Sequence, residues 1–150
     1  MMKDDRYPQY PRQRLLFFVA QDIDDGIVQA VRQTLRDLSA SATWLLTPPA
    51  FVDHTDDARS DDADEADRTV GGTLDILGAA GGKLPKDLDV ATLADVERLV
   101  QAIQALSEQH ALAVEFELNG AYVGAIEDGV LDRSLAEGLL GEWRRHLDGA

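Results

Sequence analysis

The sequence predicts a single α+β domain with a mixed or antiparallel sheet and helices mainly on one face, in the order β-α-β-β-α-β-β-α. Strand-like apolar runs alternate along the chain with amphipathic helical patterns, which is typical of a sheet packed against helices. Asn119 and Gly120 separate two alternating segments, and Asn-Gly is the strongest short signal for a hairpin turn. Because a tight hairpin joins antiparallel strands, the sheet cannot be purely parallel. A length of 150 residues suits one domain.

The N-terminal part of the chain is predicted to contain a leader, a strand and a helix. Residues 1–13 are polar and include two prolines, so we expect a flexible leader before a domain that occupies residues 14–150. The first strand is predicted over residues 14–20, an apolar run between polar residues. A helix follows, because four apolar residues recur at spacings of three and four: Ile27, Val31, Leu35 and Leu38.

The next part of the chain combines a strand with a long acidic stretch. A second strand is predicted over residues 43–47, and Pro48 ends it because proline cannot donate to a ladder. Residues 53–67, the acidic stretch, hold eight acidic residues and one arginine, and so carry half of the formal charge of −14. Mutual repulsion and the lack of large apolar residues predict a mobile loop here. A third strand is expected over residues 69–77.

A second helix and the hairpin follow. Thr92 and Asp95 approximate a capping box ahead of an apolar stripe, which predicts the start of the helix. The hairpin strands are predicted over residues 113–118 and 121–126. A two-residue turn would pair, on one face, Leu118 with Ala121, Phe116 with Val123 and Val114 with Ala125. The other face would then carry Glu115, Glu117, Tyr122 and Gly124.

The last predicted elements are a tight turn and a helix. Asp128 and Gly129 favour the turn, and Ser134 and Glu137 have the spacing of a capping box. The apolar side chains expected to point inward are Leu135, Leu139, Trp143 and Leu147.

Charge and composition exclude several classes of partner. A formal charge of −14 repels nucleic acid and anionic membranes, because phosphate contacts need clustered Lys and Arg. The chain has no cysteine, which rules out disulfides and zinc thiolates. The first residues are charged and lack an apolar export signal, so a cytoplasmic location is expected. We expect neither a cofactor nor a dedicated metal site.

The sequence lacks the motifs of a phosphate loop and of a calcium loop. Gly78 and Gly82 enclose only three residues before Lys83, and Leu84 stands where a phosphate loop needs Ser or Thr. The acidic stretch offers His54 between acids, but no register supplies the glycine and closing glutamate of a calcium loop. The remaining histidines lie near predicted helix ends, where a cation is favoured: His110 and His146.

The predicted interaction residues are acidic, with one aromatic neighbour. Glu115 and Glu117 are two apart on a strand, so their carboxylates share a face, next to Tyr122. That face is interpreted either as an ordinary solvent-facing strand, as a contact for a cationic partner or as an acid/base pair. The acidic stretch is predicted to act as an auxiliary attractor through four residues: Asp56, Asp57, Asp61 and Asp62.

The sequence alone leaves three classes of function open: a protein-binding module, a structural subunit and an enzyme. A small acidic domain would meet a basic protein quickly through electrostatic steering, which favours a protein-binding module without enzymatic activity. In size, acidity and lack of a catalytic motif the chain resembles bacterial immunity proteins, which neutralise a cognate toxin; the resemblance covers general character and no defining motif. The alternatives are a structural subunit that self-associates, for example as a homodimer, and an enzyme whose site assembles only in three dimensions.

Overall fold

The computed structural model describes residues 10–56, 67–78 and 84–149, and in them a six-stranded antiparallel sheet packs against helices. The α+β class is therefore confirmed. The elements in chain order are β1 (Arg12–Val19), α1 (Asp25–Ser41), β2 (Ala50–Asp56), β3 (Asp67–Leu77), α2 (Lys86–His110), β4 (Ala113–Leu118), β5 (Ala121–Glu127), β6 (Val130–Leu131), a π-helical segment (Ser134–Gly141) and α3 (Glu142–Gly149). The order across the sheet is β2-β3-β1-β4-β5-β6. None of the helices in these ranges has the length and apolarity that crossing a bilayer requires.

The first strand lies in the middle of the sheet. It pairs antiparallel with β3 on one side and with β4 on the other. Leu15, Phe17 and Val19 alternate along it and are buried beneath the helices, with the ring of Phe17 5.9 Å from that of Phe116 in β4. The inward side chains of the sheet and of all three helices form one cluster, so the helices cover a single face, as predicted. Strand β1 begins at Arg12, two residues inside the predicted leader.

Helix α1 follows the predicted apolar stripe. Asp24 caps it, since its Oδ1 accepts a hydrogen bond from the backbone N–H of Ile27 at 2.9 Å. The buried side chains are Val28, Val31, Leu35 and Leu38. Gly72 of β3 lies beneath this helix, and a Cβ there would come within 2.7 Å of Leu35 Cδ1. The absence of a side chain thus lets α1 approach the sheet closely.

The second strand is not where the apolar run predicted it. Residues 43–47 form no strand; Trp44 and Leu46 are buried because the connection packs into the core. Strand β2 starts beyond Pro49 and pairs with β3 as far as Asp56 opposite Asp67. The prediction of a mobile loop over the whole acidic stretch is therefore wrong at both ends, and residues 57–66 lie outside the described residues.

Helix α2 begins earlier than the predicted capping box. Its first residue is Lys86, so Thr92 and Asp95 lie inside the helix and are buried. Thr92 donates its hydroxyl to the Leu88 carbonyl, one turn back, instead of capping. The helix ends at His110, and the C-cap residue Ala111 adopts the left-handed conformation (φ 55°) and donates its N–H to the Ser107 carbonyl.

The hairpin forms with its predicted turn but with a different register. Leu118 pairs with Ala121 and Glu117 with Tyr122, whereas Phe116 pairs with Gly124, because a β-bulge at Val123 shifts β5 by one residue. Gly124 has a φ of 148°, and a Cβ there would lie 2.6 Å from the backbone N of Leu135. The absence of a side chain at Gly124 therefore lets the start of the π-helical segment pack directly on the strand.

The C-terminal region contains a short strand that the sequence did not predict. Asp128 (φ 51°) and Gly129 (φ 80°) form the expected turn, and it leads into β6. The cap of the π-helical segment is Asp132, whose Oδ1 accepts from the backbone N–H of Leu135 at 2.9 Å. Ser134 makes no capping bond, so the predicted capping box is wrong. Leu135 and Leu147 are buried, while Leu139 and Trp143 pack partly buried against the core.

Candidate functional site

The sheet face opposite the helices carries the strand residues that sequence predicted for partner contact. We call it the open face. Its side chains follow from the strand register: Arg14, Leu16, Phe18, Val52, Thr73, Glu115, Glu117, Tyr122, Ala125 and Val130. Because all three helices pack on the other side, these residues face outward from the centre of the sheet.

The two glutamates lie between apolar rows. Glu115 is opposite Phe18 of β1 on one side and Ala125 of β5 on the other. Glu117 is opposite Leu16 of β1 on one side and Tyr122 of β5 on the other. Both glutamates are half-buried, and same-face neighbours on a strand are about 7 Å apart. The arrangement can therefore hold two cationic groups, each beside an apolar or aromatic side chain.

Tyr122 is held in a fixed position on this face. Its hydroxyl donates a hydrogen bond to Asp132 Oδ2 at 3.1 Å, while Oδ1 of the same carboxylate caps Leu135. Partial desolvation of the Tyr122 hydroxyl raises its pKa, and the hydrogen bond to Asp132 and the nearby charges of Asp132 and Glu115 add to the effect. With 56% of Tyr122 exposed, its ring is available for contact.

A shallow groove of about 560 Å³ adjoins the tyrosine. Its lining residues are Tyr122, Ala125, Glu127, Asp128, Val130 and Asp132. Val130 is 67% exposed, the highest value among the large apolar residues described. The lining thus combines carboxylates with apolar side chains, which suits a long cationic side chain with an apolar stem.

The aspartates of the acidic stretch that were predicted to attract a partner do not lie on the same strand as Glu115 and Glu117, or on a neighbouring one, where the structure describes them. Asp56 ends β2, which is three strands away from β4 and hence about 14 Å across the sheet. Asp57, Asp61 and Asp62 lie outside the described residues. The structure therefore brings Glu115, Glu117 and Tyr122 together, and it places the backbone of Asp56 on a strand that does not adjoin β4 or β5.

The remaining candidates from the sequence do not form a metal centre within the described ranges. Asp53 and His54 are successive residues of β2, so they point to opposite faces. Both carboxylate oxygens of Asp53 accept from Arg68 at 3.0 Å, and this hydrogen bonding lowers the Asp53 pKa. Across residues 10–56, 67–78 and 84–149, no group of three His, Asp or Glu side chains is placed to hold a metal ion.

One buried polar cluster was missed by sequence analysis. Asp95 is 7% exposed, and its carboxylate accepts from the Leu45 backbone N–H at 2.9 Å and from Arg98 at 3.0 Å. The Arg98 guanidinium lies 5.2 Å from the Trp44 ring centroid. Burial outweighs these bonds and raises the pKa of the Asp95 carboxyl. An acid inside an apolar helical stripe is the signal that could have identified this anchor.

Comparison with known proteins gives no match to a family model, to a curated protein or to a solved structure. The open face is therefore interpreted from its own geometry.

Proposed function

We propose that the protein is a binding module without enzymatic activity, and that its open face docks a basic protein and neutralises or regulates it. An immunity-type inhibitor of a bacterial toxin is the example we favour. The observation that carries the proposal is the position of Glu115 and Glu117 on one face of β4, between apolar residues of both neighbouring strands.

Strand placement favours tight pairing with arginine. Strand β4 is hydrogen-bonded on both sides, by β1 and β5, so the backbone that carries Glu115 and Glu117 is ordered before a partner arrives. When the two carboxylates accept hydrogen bonds from guanidinium groups, entropy is then lost only from the side chains. Leu16, Phe18 and Tyr122 add apolar and aromatic area beside the charges, as at the centre of many protein interfaces.

The overall charge supports the same kind of partner. At −14, the chain attracts basic proteins over a long range and repels nucleic acid and anionic lipid. Attraction at distance accelerates association, whereas the fixed glutamates determine how long the complex lasts. We also propose a cytoplasmic location, which suits a chain without cysteine.

The test compares two variants that change the net charge equally at different places. E115K/E117K reverses the open face, and E137K/E142K reverses two exposed glutamates of the C-terminal helical region. Each immobilised protein is used to capture partners from host lysate, and the captured protein is identified and then titrated against all three forms. We expect a basic protein whose affinity falls at least a hundredfold for E115K/E117K and less than tenfold for E137K/E142K.

Two outcomes would contradict the proposal. Equal loss in both variants would mean that binding follows net charge rather than the open face. Full binding to E115K/E117K by a well-folded variant, as judged by circular dichroism, would remove this face as the docking surface.

A further inference from the structure

A second surface, at the edge of the sheet, carries charges of the opposite sign. Strand β2 is an edge strand of seven residues that pairs only with β3. None of the described residues forms a backbone hydrogen bond with its outer side. Such an edge presents unpaired N–H and C=O groups, which are the template for adding an extended peptide.

Two arginines of α1 border this edge on the helix side. Arg32 and Arg36 are one helical turn apart, and neither forms a salt bridge with any residue in the described ranges. The Arg32 guanidinium lies 4.9 Å from the centroid of the Phe51 ring, which fixes it above β2. Arg32 and Arg36 line a groove of about 370 Å³, and its other lining residues are Leu35, Ser39, Pro49 and Phe51.

We propose that the β2 edge binds an extended acidic peptide segment as a seventh strand, with a carboxylate opposite Phe51 held by Arg32 and Arg36. Side chains directly opposite on adjacent strands lie about 5 Å apart, so this carboxylate would lie near the Arg32 guanidinium above Phe51, in the groove that Arg36 also lines. A carboxylate can accept two hydrogen bonds from one arginine. This inference goes beyond the proposed function and does not depend on it.

The two arginines favour an acidic occupant, because both line the groove and neither has a salt-bridge partner within the described ranges. Asp53, two residues along β2 from Phe51, repels such a peptide little, because Arg68 donates two hydrogen bonds to its carboxylate and the charge of Arg32 also lowers its pKa. The groove lies towards Pro49, at the opposite end of β2 from Asp56.

The test uses three short peptides and two pairs of arginine substitutions. The probes are labelled nine-residue peptides of Val and Thr, blocked at both ends, with Glu, Gln or Lys at the centre. The proteins are the parent, R32Q/R36Q, and R133Q/R145Q as a control with the same charge change on the exposed C-terminal region. Fluorescence anisotropy at physiological ionic strength gives the affinities, and amide hydrogen exchange locates the contact.

We expect the Glu peptide to bind the parent and the control about tenfold more tightly than the Gln peptide, and R32Q/R36Q to lose that preference. Exchange should slow at alternate amides of β2 only. Equal affinities for the three peptides, no binding, or protection away from β2 would overturn the proposal. A concentration-dependent dimer with protected β2 amides in the absence of peptide would assign the edge to a second copy instead.

Discussion

The carboxylate of Asp95 accepts a hydrogen bond from the backbone N–H of Leu45 at 2.9 Å, across 50 residues of sequence. It joins the connection between α1 and β2 to α2. Replacing Asp95 by Ala leaves a half-buried N–H and the Arg98 guanidinium without their partner. We expect D95A to lower the free energy of unfolding by about 1–3 kcal/mol in urea titrations, whereas D95N keeps an acceptor and loses less.

The same residue makes stability depend on pH. Burial raises the pKa of Asp95 above its ordinary value of 3.8, so between the two values the folded protein binds more protons than the unfolded chain. Stability contributed by this group therefore falls as pH rises through that interval and stays low above it. The difference in unfolding free energy between D95N and the parent should shift in favour of D95N as pH rises from about 4 to 7. A constant difference over that range would contradict the assigned pKa direction.

Two substitutions of glycine by alanine should differ in their effect on the free energy of unfolding. In G72A the new methyl group would lie 2.7 Å from Leu35 Cδ1, 2.8 Å from Phe17 Cε1 and 2.9 Å from the Ala50 carbonyl oxygen. Overpacking of this kind is expected to cost about 1–3 kcal/mol. Nothing lies within 4 Å of a Cβ at Gly138, which is exposed on the π-helical segment, so G138A should be neutral or stabilise by up to about 1 kcal/mol. Thermal unfolding of both variants tests the close approach of α1.

Two alanine variants, D132A and S134A, test which residue caps the π-helical segment. Asp132 accepts from Leu135 N–H and from the Tyr122 hydroxyl, so D132A should lower stability by about 0.5–2 kcal/mol. Ser134 makes no capping bond, and S134A should stay within about 0.5 kcal/mol of the parent. Urea titrations of the two variants give the comparison. A larger loss for S134A would restore the capping box that the sequence predicted.

Once a basic partner is known, its binding kinetics should separate the two acidic regions. E115K/E117K should raise the dissociation rate, because the fixed carboxylates hold the partner's cations in the complex. Replacing Asp57, Asp61 and Asp62 by Asn should mainly slow association, and that effect should fade as salt is added. Surface plasmon resonance at two ionic strengths measures both rates. Slower association without a salt dependence would show that these aspartates do not act through long-range attraction.

The features that sequence predicted correctly are set by local chemistry. The Asn119-Gly120 turn forms because both residues adopt a positive φ, and the apolar spacing of α1 places its stripe on the core. Glu115 and Glu117 share a face for the same reason, since strand side chains alternate.

The features that sequence missed depend on contacts between distant residues. The apolar run around Trp44 is buried by packing rather than by strand pairing, and a short apolar run does not distinguish the two. The bulge at Val123 accompanies the close approach of Leu135 to Gly124, which no local pattern records. Asp95 resembled a capping residue because its anchoring partner lies in another element.

The central position of β1 also determines the order in which the chain can fold. The backbone N–H of Arg14 is bonded to Asn119 Oδ1, 105 residues away, and its side chain to Asp75, 61 residues away. During synthesis β1 therefore emerges long before β3 and β4, and its apolar residues remain unpaired until those strands follow. Formation of this sheet requires the closure of two long loops, so we expect the domain to fold more slowly than a helical bundle of the same length.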